Sequence, residues 1–548
     1  MKNILMGAAA AALLMACGQN GGGDVSSVVE NAGAPAVRSA ERALKDLGDV
    51  VLRNGDAAEA NAALEAMMLH QSGAGRVTFT SKSVDGADAV FEAASVALQE
   101  AGEAGGTVSF GTVTFEGLDM TEAGPSFARL RLEDIELAPN DPEEAEQGTF
   151  TIASFDVANP SPELAGWFAS LLGDGSPAAF PGADAIRLDR MTLDDLNVDI
   201  DTGREKMKAK IDGIELAGFG DEALAVAILS GLSFDVEEDG EPFAMNLNAL
   251  SMTGADLAVF SAMMENFGDE EAMAEAIFST AYNNPIDPGY DTFVMDGLSF
   301  NAQGLSFDMP SLDSSVQRNG NGDPVRFVTK PYTLTLDADP EGGQLGSQLG
   351  GALGMVGYER LELAGEQASD YNPDEDIATF SAENNYLTLK DGFSLKFGGK
   401  IGGYKAYGAA LSNMALEDMV EGDPDNEAMM QAVSALTLHN LQLTLTDDSL
   451  VDRLFNLAAA QSGEDPAQMR QQAVAMVSMA PMMAAESGVD MDMLTQLTSA
   501  VSEFLQEPGT LTIKLDPAAP LTAATFQGME DPSAINGELL GLTVTHEK

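Results

Sequence analysis

Cysteine and histidine, which often mark redox, metal or nucleophilic chemistry, are almost missing from this chain. One cysteine, Cys17, and three histidines, His70, His439 and His546, occur among its 548 residues. A single cysteine excludes internal disulfides, so packing alone must stabilise the fold. None of the histidines has a neighbour at metal-ligand spacing, and no Gly-x-Ser-x-Gly, P-loop, dinucleotide or His-Glu-x-x-His motif occurs. The sequence therefore points to no catalytic residue and no cofactor.

Basic residues are also scarce. The chain carries 27 Lys and Arg against 87 Asp and Glu, a formal net charge of −60. Such a surface repels phosphate backbones, so nucleic acid is excluded as a partner. The acidic residues are spread over the whole chain, which favours a solvated surface over a dedicated site for cations.

Apolar runs long enough to cross a bilayer are absent after Cys17. Before it, a short positive segment containing Lys2 precedes an apolar run over residues 4–16, the pattern of a secretory signal. The end of that run, Leu14-Met15-Ala16-Cys17, resembles the lipobox of bacterial lipoproteins, although Met15 stands where a smaller residue is usual.

The lipobox resemblance implies an address for the protein. Residues 1–16 would be removed by cleavage between Ala16 and Cys17, and acyl chains such as palmitate on Cys17 would anchor the chain to a membrane. In that family, Gly18 after the cysteine implies the outer membrane, with the body in the periplasm or at the cell surface. The alternative is a plain signal peptide that happens to end at a cysteine.

Periodicity divides the remaining chain into four regions. Residues 17–35 are glycine-rich and predict a flexible tether, whereas residues 36–70 have helical spacing broken at Asn54-Gly55-Asp56. Alternation of period two then runs through residues 76–430, with inserted helices. Residues 431–548 predict a C-terminal strand–helix–strand region.

A degenerate tetrapeptide recurs in the strands: a small or turn residue, Leu or Ile, a polar residue and an apolar one. We interpret each copy as a turn exit that feeds an alternating strand. So many hairpins predict a mainly β fold with helices (α+β), built as a long curved antiparallel sheet with packed helices. The copies begin at Gly117, Asp134, Asp195, Gly213, Gly231, Gly297, Gly304 and Asn440.

Two hairpins can be registered from their turns. A two-residue turn at Asp239-Gly240 predicts three apolar pairs on one face: Val236 with Phe243, Phe234 with Met245, and Leu232 with Leu247. A turn at Thr202-Gly203 predicts that acidic and polar residues neutralise the densest basic row, by pairing Asp201 with Arg204, Asp199 with Lys206, Asn197 with Lys208, and Asp195 with Lys210.

Helical spacing and capping residues predict helices over residues 162–172, 256–267, 270–282, 449–461, 466–485 and 491–506. In the segment 346–357, Gly346, Gly350 and Gly354 stand four apart among apolar residues. This segment is too short to span a membrane, so it predicts a lid or a closely packed surface helix.

A calcium site is the one metal site that the sequence offers. Asp370, Asn372, Asp374 and Asp376 alternate as oxygen ligands do in a calcium loop, but the turn glycine and the closing glutamate are missing. A solvated turn is the alternative interpretation.

The recurrent strands from about residue 107 to 445, and the strand–helix end at residues 436–515, resemble the AsmA-like and YdgA-like envelope proteins. That resemblance implies a trough-like sheet that faces lipid or the cell envelope, and it transfers no functional residues. Two hypotheses follow. The chain is a non-enzymatic envelope protein whose concave sheet holds a lipid, another amphiphile or a partner protein. Alternatively, it is an envelope hydrolase with dispersed catalytic residues.

Overall fold

The computed structural model describes residues 35–100, 103–138, 148–172, 181–182, 185–203, 205–220, 223–238, 241–256, 287–411, 432–484, 490–527 and 535–548. The chain forms two compact units. The first comprises residues 1–268 and 289–302, and the second comprises residues 269–288 and 303–548. Both consist mainly of antiparallel strands with helices packed on them, which confirms the α+β class.

The first unit contains one long run of antiparallel strands. Its elements are α1 (Pro35–Leu47), α2 (Ala60–Ala66), β1 (Val77–Thr78), β2 (Ser81–Asp85), β3 (Asp88–Glu100), β4 (Glu103–Glu116), β5 (Asp119–Thr121), β6 (Gly124–Ser126), β7 (Arg129–Ala138), β8 (Gly148–Ala158), α3 (Pro162–Leu172), β9 (Leu188–Asp201), β10 (Glu205–Gly220), β11 (Ala223–Glu238), β12 (Glu241–Asp256) and β13 (Thr292–Ala302). Strand β3 pairs with β4, β4 with β7, and each later strand pairs with the next up to β13. Strands β1 and β2 pair with β3, and β5 pairs with β6.

The second unit combines shorter hairpins with a group of helices. Its elements are β14 (Leu305–Arg318), β15 (Pro324–Ala338), α4 (Gln344–Met355), β16 (Arg360–Asn372), β17 (Ile377–Phe380), β18 (Tyr386–Leu389), β19 (Phe393–Gly402), α5 (Tyr404–Leu411), β20 (Thr437–Asp447), α6 (Leu450–Ser462), α7 (Pro466–Ala484), α8 (Met491–Gln506), β21 (Thr510–Leu515), α9 (Ala523–Gln527), α10 (Gly537–Leu540) and β22 (Leu542–Glu547). Strands β14, β15 and β16 pair in order, and β16 and β19 are bridged by both β17 and β18. Strands β19 to β22 then pair in sequence.

The main core of the first unit lies where α2 and α3 cover the sheet. Aromatic rings of Phe79, Phe91, Phe115 and Phe127 meet edge to face, with centroids 5.0, 6.3 and 5.5 Å apart in turn. Phe91, Phe115 and Phe127 are at most 1% exposed. Burial of each such ring contributes roughly 1.5–3 kcal/mol, so this cluster holds the two helices to the strands.

The helices agree with their sequence signals wherever the structure describes them. Helices α3 and α8 occupy the predicted residues, and α7 occupies residues 466–484 of the predicted 466–485, the last of which lies outside the described residues. Helix α6 is displaced by one residue and ends at the left-handed Gly463 (φ 75°). The predicted helical region 36–70 contains α1 and α2. The predicted helices 256–267 and 270–282 lie outside the described residues, except that Asp256 is the last residue of β12 rather than a helix cap.

The glycine-spaced segment is a closely packed surface helix, α4. A Cβ on Gly346 would lie 2.2 Å from the carbonyl oxygen of Asp339, and one on Gly350 would lie 3.0 Å from Cγ of Pro340, whereas Gly354 faces open space. Two of the three glycines therefore let α4 approach the end of β15. Among the described residues, no helix is both long and apolar enough to cross a bilayer.

One predicted hairpin register is confirmed and the other is wrong. Strands β11 and β12 pair Val236 with Phe243, Phe234 with Met245 and Leu232 with Leu247, as the Asp-Gly turn predicts; the turn residues Asp239 and Gly240 themselves lie outside the described residues.

Strands β9 and β10 are shifted by two residues from the predicted register. Lys206 pairs with Asp201, Lys208 with Asp199 and Lys210 with Asn197, while Arg204 lies outside the described residues. A shift of two keeps every side chain on its predicted face. It is favoured because it places Ile211 opposite Leu196, where the predicted register had Ala209. The basic row is still neutralised, with Lys208 Nζ 3.0 Å from Asp199 Oδ2.

Candidate functional site

Two rows of irregular residues cross the first unit from strand to strand, and we call them the first and second crease. In each strand the two crease positions stand six residues apart, as Asp212 and Gly218 do in β10. The pairing on either side of each position aligns them across the sheet. The first crease consists of Ala93, Gly111, Asp134, Ala153, Asp195, Asp212, Gly231, Asn248 and Gly297. The second consists of Ala87, Gly117, Ala128, Asn159, Asp189, Gly218, Ala225, Gly254 and Asp291.

Every second strand adopts a left-handed backbone at its crease position. In the first crease, φ is 47° at Ala93, 50° at Asp134, 49° at Asp195, 62° at Gly231 and 65° at Gly297. Left-handed φ is favourable for Gly and tolerable for Asp and Asn, which explains these residue types in the middle of strands. The second crease has the same conformation on the intervening strands, at Gly117, Asn159, Gly218 and Gly254.

The crease explains the recurring tetrapeptide and corrects its interpretation. In the copies that start at Asp134, Asp195, Gly231 and Gly297, the first residue lies inside a long strand and not at the exit of a turn. Its neighbour on the next strand fills the space above it: a Cβ on Gly231 would lie 1.9 Å from Asp212 Oδ2. In the copies that begin with Gly231 and Gly297 the glycine is required by this close approach, whereas Asp134 is opposed by a neighbour, Gly111, that is itself a glycine.

Each crease changes which face the alternate side chains occupy. Side chains along a regular strand share a face every two residues. Across the first crease the interval is three, because Ile211 and Ile214 belong to the same buried cluster, as do Leu193 and Leu196. Apolar residues on this face are therefore two residues apart before the crease, three apart across it and two apart after it. This spacing keeps one apolar face continuous along each strand.

This apolar face is buried on some strands and half-buried on others. On β8 to β10, Phe150, Leu196, Val198 and Ile211 are at most 7% exposed. Beyond them lies a set that we call the half-buried stretch, in which none of the side chains is fully buried. It comprises Leu232, Phe234 and Val236 of β11, Phe243 and Met245 of β12, and Leu298 and Phe300 of β13.

The opposite face of the same strands is polar between the creases. The carboxylate of Asp156 is 2% exposed and lies 2.7 Å from Arg129 Nη2 and 2.8 Å from Arg131 Nε. Arg190 pairs with Glu215 on this face as well. A buried charge needs such pairing, so these ion pairs keep the face closed to apolar ligands.

On β11, β12 and β13 the same face carries apolar residues, and helix α1 covers them. Its Ala36 and Val37 pack on Ala249 and Val294, and its Ala40 packs on Ala217, Val226 and Ile228. The backbone N–H of Ala36 donates a 2.7 Å hydrogen bond to Oδ2 of Asp296, which is 6% exposed. Helix α1 therefore covers these strands between the creases, whereas the half-buried stretch lies beyond the first crease.

The predicted anchor residues, Leu14 to Cys17, lie outside the described residues, as do the tether residues up to 34.

The predicted calcium ligands do not converge. Asp370 forms a 2.8 Å ion pair with Arg326, and Asn372 Oδ1 accepts hydrogen bonds from the backbone of Asp374 and Glu375. Asp376 Oδ1 accepts a 2.8 Å hydrogen bond from the Tyr371 hydroxyl; burial and this contact raise the pKa of Tyr371. Within the described ranges no cluster of three or more acidic, His or Cys side chains could hold a metal. Asp370 and Asn372 lie at the end of β16, and Asp374 and Asp376 lie in the turn that leads to β17, in line with the alternative interpretation of the sequence.

The histidines do not form a catalytic pair in the described residues. His70 is exposed after α2 and His439 is half-buried in β20. His546 is 4% exposed at the side chain, with Nδ1 4.0 Å from Glu503 Oε2 and no hydrogen-bond partner at Nε2. Ser499 is the nearby hydroxyl, but it contacts the same carboxylate at 3.4 Å. A nucleophilic hydroxyl must be hydrogen-bonded to the imidazole that activates it, so this arrangement does not favour the hydrolase hypothesis.

Comparison with known proteins adds one match. A family model described only as "Uncharacterized protein" matches residues 386–547, from β18 to β22. No curated protein and no solved structure matches the chain.

Sequence reasoning missed the creases, although their signal is present. Gly, Ala, Asp or Asn recurs six residues apart in each long strand, and the apolar spacing changes from two to three at each of these positions. When strict alternation of apolar and polar residues is required, these positions are interpreted as turns between strands.

Proposed function

We propose that this chain is a lipid-anchored envelope protein whose first unit holds the apolar part of an amphiphile against the half-buried stretch, without catalysing a reaction on it. The observation that carries the proposal is the continuity of the apolar face. Leu232, Phe234 and Val236 extend the fully buried rows of β8 to β10 without being fully buried themselves. Apolar surface of this kind is a common feature of binding sites.

The dimensions of the half-buried stretch fit part of an alkyl chain. Along β11 it runs from Leu232 to Val236, which is roughly 13 Å at about 3.3 Å per residue. Each methylene that leaves water contributes roughly 0.8 kcal/mol, so a few of them suffice for reversible binding. The net charge of −60 disfavours an anionic headgroup, so the alkyl part would provide the affinity.

The anchor and the apolar face support one another in this proposal. A lipid on Cys17 would hold the protein beside a bilayer, where amphiphiles are concentrated. The predicted outer-membrane location and periplasmic or surface exposure belong to the same proposal.

The test compares two pairs of substitutions on the same two strands. Phe234 pairs with Met245 on the apolar face, and the adjacent Ser233 pairs with Asn246 on the opposite face. A Cys17→Ser protein, purified without detergent, is titrated with a fluorescent fatty alcohol, which carries no charge, and examined by native mass spectrometry. Phe234→Glu with Met245→Glu should weaken binding by about tenfold or more, since removal of roughly 60 Å² of apolar contact costs about 1.4 kcal/mol. Ser233→Glu with Asn246→Glu should leave the affinity unchanged.

Two outcomes would reject the amphiphile. Equal weakening by both pairs would mean that the apolar face is not the site. A clean apo mass together with no uptake of the fatty alcohol would leave a scaffold that binds a partner protein as the better function.

A further inference from the structure

A groove in the second unit lies between helix α8 and strand β22. It has a volume of about 460 Å³. Along α8 it is lined by a polar stripe at intervals of three and four residues, and β22 contributes Val544 and His546. The stripe consists of Asp492, Thr495, Gln496, Ser499 and Glu503.

The groove is long and narrow. Asp492 and Glu503 stand eleven residues apart, which is roughly 16 Å along a helix. Strand β22, over residues 542–547, spans roughly 20 Å. The roughly 16 Å between Asp492 and Glu503 corresponds to about five residues of extended chain, and a groove of this length is poorly matched to a compact small molecule.

Strand β22, which lines this groove, has an edge without a partner strand among the described residues. Within the described part of the chain it pairs only with β21, from Leu542 opposite Leu515 to Glu547 opposite Thr510. An edge strand carries backbone N–H and C=O groups on its outer side that can pair with another strand. Proline, which would block such pairing, is absent from β22.

His546 adds an independent observation, a buried polar atom at this groove without a hydrogen-bond partner. Its side chain is 4% exposed, and Nε2 has no hydrogen-bond partner in the described structure. Buried polar atoms are nearly always paired, so an orphan imidazole nitrogen beside a cavity is unusual. Its Nδ1 faces Glu503 at 4.0 Å, and the ring packs edge-on to Phe504.

The charge of the groove selects the ligand. Asp492 and Glu503 line it and no Lys or Arg does. Lys548, two residues after His546, pairs with Glu507, which is not among the groove residues. We propose that an extended, Lys- or Arg-bearing peptide segment of a partner protein adds to the edge of β22. Its backbone pairs with β22, a basic side chain meets Glu503, and a polar group reaches His546 Nε2.

The binding test uses the full chain with Cys17→Ser and a fluorescent seven-residue peptide of alternating lysine and valine. A matched peptide with N-methylated backbone amides keeps the charge but cannot pair with a strand. The unmodified peptide should bind about tenfold more tightly, since several backbone hydrogen bonds are at stake. Its binding should also shift the Nε2 resonance of His546. Equal affinity of the two peptides would overturn strand addition.

Glu503 of α8 and Glu507, the residue that follows α8, make a matched pair of variants. Glu503→Gln should weaken binding of the unmodified peptide by about fivefold, whereas Glu507→Gln, outside the groove, should have no effect. An equal effect of both variants would reduce the attraction to general charge and refute the site. If the chain associates with itself and Glu503→Gln abolishes that association, the partner is a second copy of this chain, and the proposal of a different partner protein is overturned. The comparison of the two peptides uses no groove variant, so it still tests strand addition if Glu503→Gln fails to fold.

Discussion

The crease makes a sharp prediction at Gly231, the left-handed residue of β11. Its φ is 62°, and a Cβ there would lie 1.9 Å from Oδ2 and 2.6 Å from Cβ of Asp212 on the neighbouring strand. Gly203, in the turn before β10, has a similar φ of 78° but nothing within 4 Å of a Cβ. The two glycines therefore share a left-handed backbone, but only at Gly231 do atoms of a neighbouring strand lie close to the position of a Cβ.

The expected costs follow from that difference. Alanine in the left-handed region costs about 1–2 kcal/mol at either position. At Gly231 the overlap with Asp212 adds about 1–3 kcal/mol, because the Cβ of Asp212 cannot move without its strand. Gly231→Ala should therefore lower the free energy of unfolding by about 2–5 kcal/mol, and Gly203→Ala by about 1–2 kcal/mol. The entropy that each substitution removes from the unfolded chain is the same and cancels in the comparison.

Trp167 provides the assay, because it is the only tryptophan and packs against the core of the first unit. Urea unfolding followed by its fluorescence reports that unit. The double variant Gly231→Ala with Asp212→Gly, which removes the opposing Cβ, should recover about 1–3 kcal/mol as a coupling energy. Equal losses for Gly231→Ala and Gly203→Ala, or no coupling with Asp212, would refute the close packing of the crease.

Three further predictions concern the anchor and two helix starts. Cys17→Ser should abolish labelling by fatty-acid analogues and release the protein from the membrane fraction; unchanged retention would contradict the lipobox. Asp296→Ala leaves the N–H of Ala36 without its acceptor, so it should cost about 1–3 kcal/mol and speed hydrogen exchange over residues 35–47, whereas unchanged protection would mean that the helix docks without it. Hydrogen bonds from the backbone of Gly537, Asp492 and Met493 lower the pKa of Asp490. Its contribution to stability is therefore present above the ordinary Asp pKa and lost as pH falls through the lowered value, a dependence that Asp490→Asn should remove from acid-unfolding curves.

Local rules predicted the parts of this protein that depend on neighbouring residues. The helices α3, α7 and α8 follow their own caps and spacing, and the Asp-Gly turn sets the register of β11 against β12. The mainly β class follows from the many alternating segments. The lipobox at Cys17 is likewise readable from four residues, and it remains a prediction.

The remaining features depend on contacts between residues far apart in sequence. The register of β9 against β10 is set by apolar pairing that extends to Ile211 and Leu196, beyond the reach of the turn. The creases require several strands side by side, because each left-handed residue needs a particular neighbour on the next strand. The orphan nitrogen of His546 exists only because α8 folds over a strand that begins more than thirty residues after it ends. Local propensity acts over a few residues, whereas burial and close packing are decided only once the strands and helices have met.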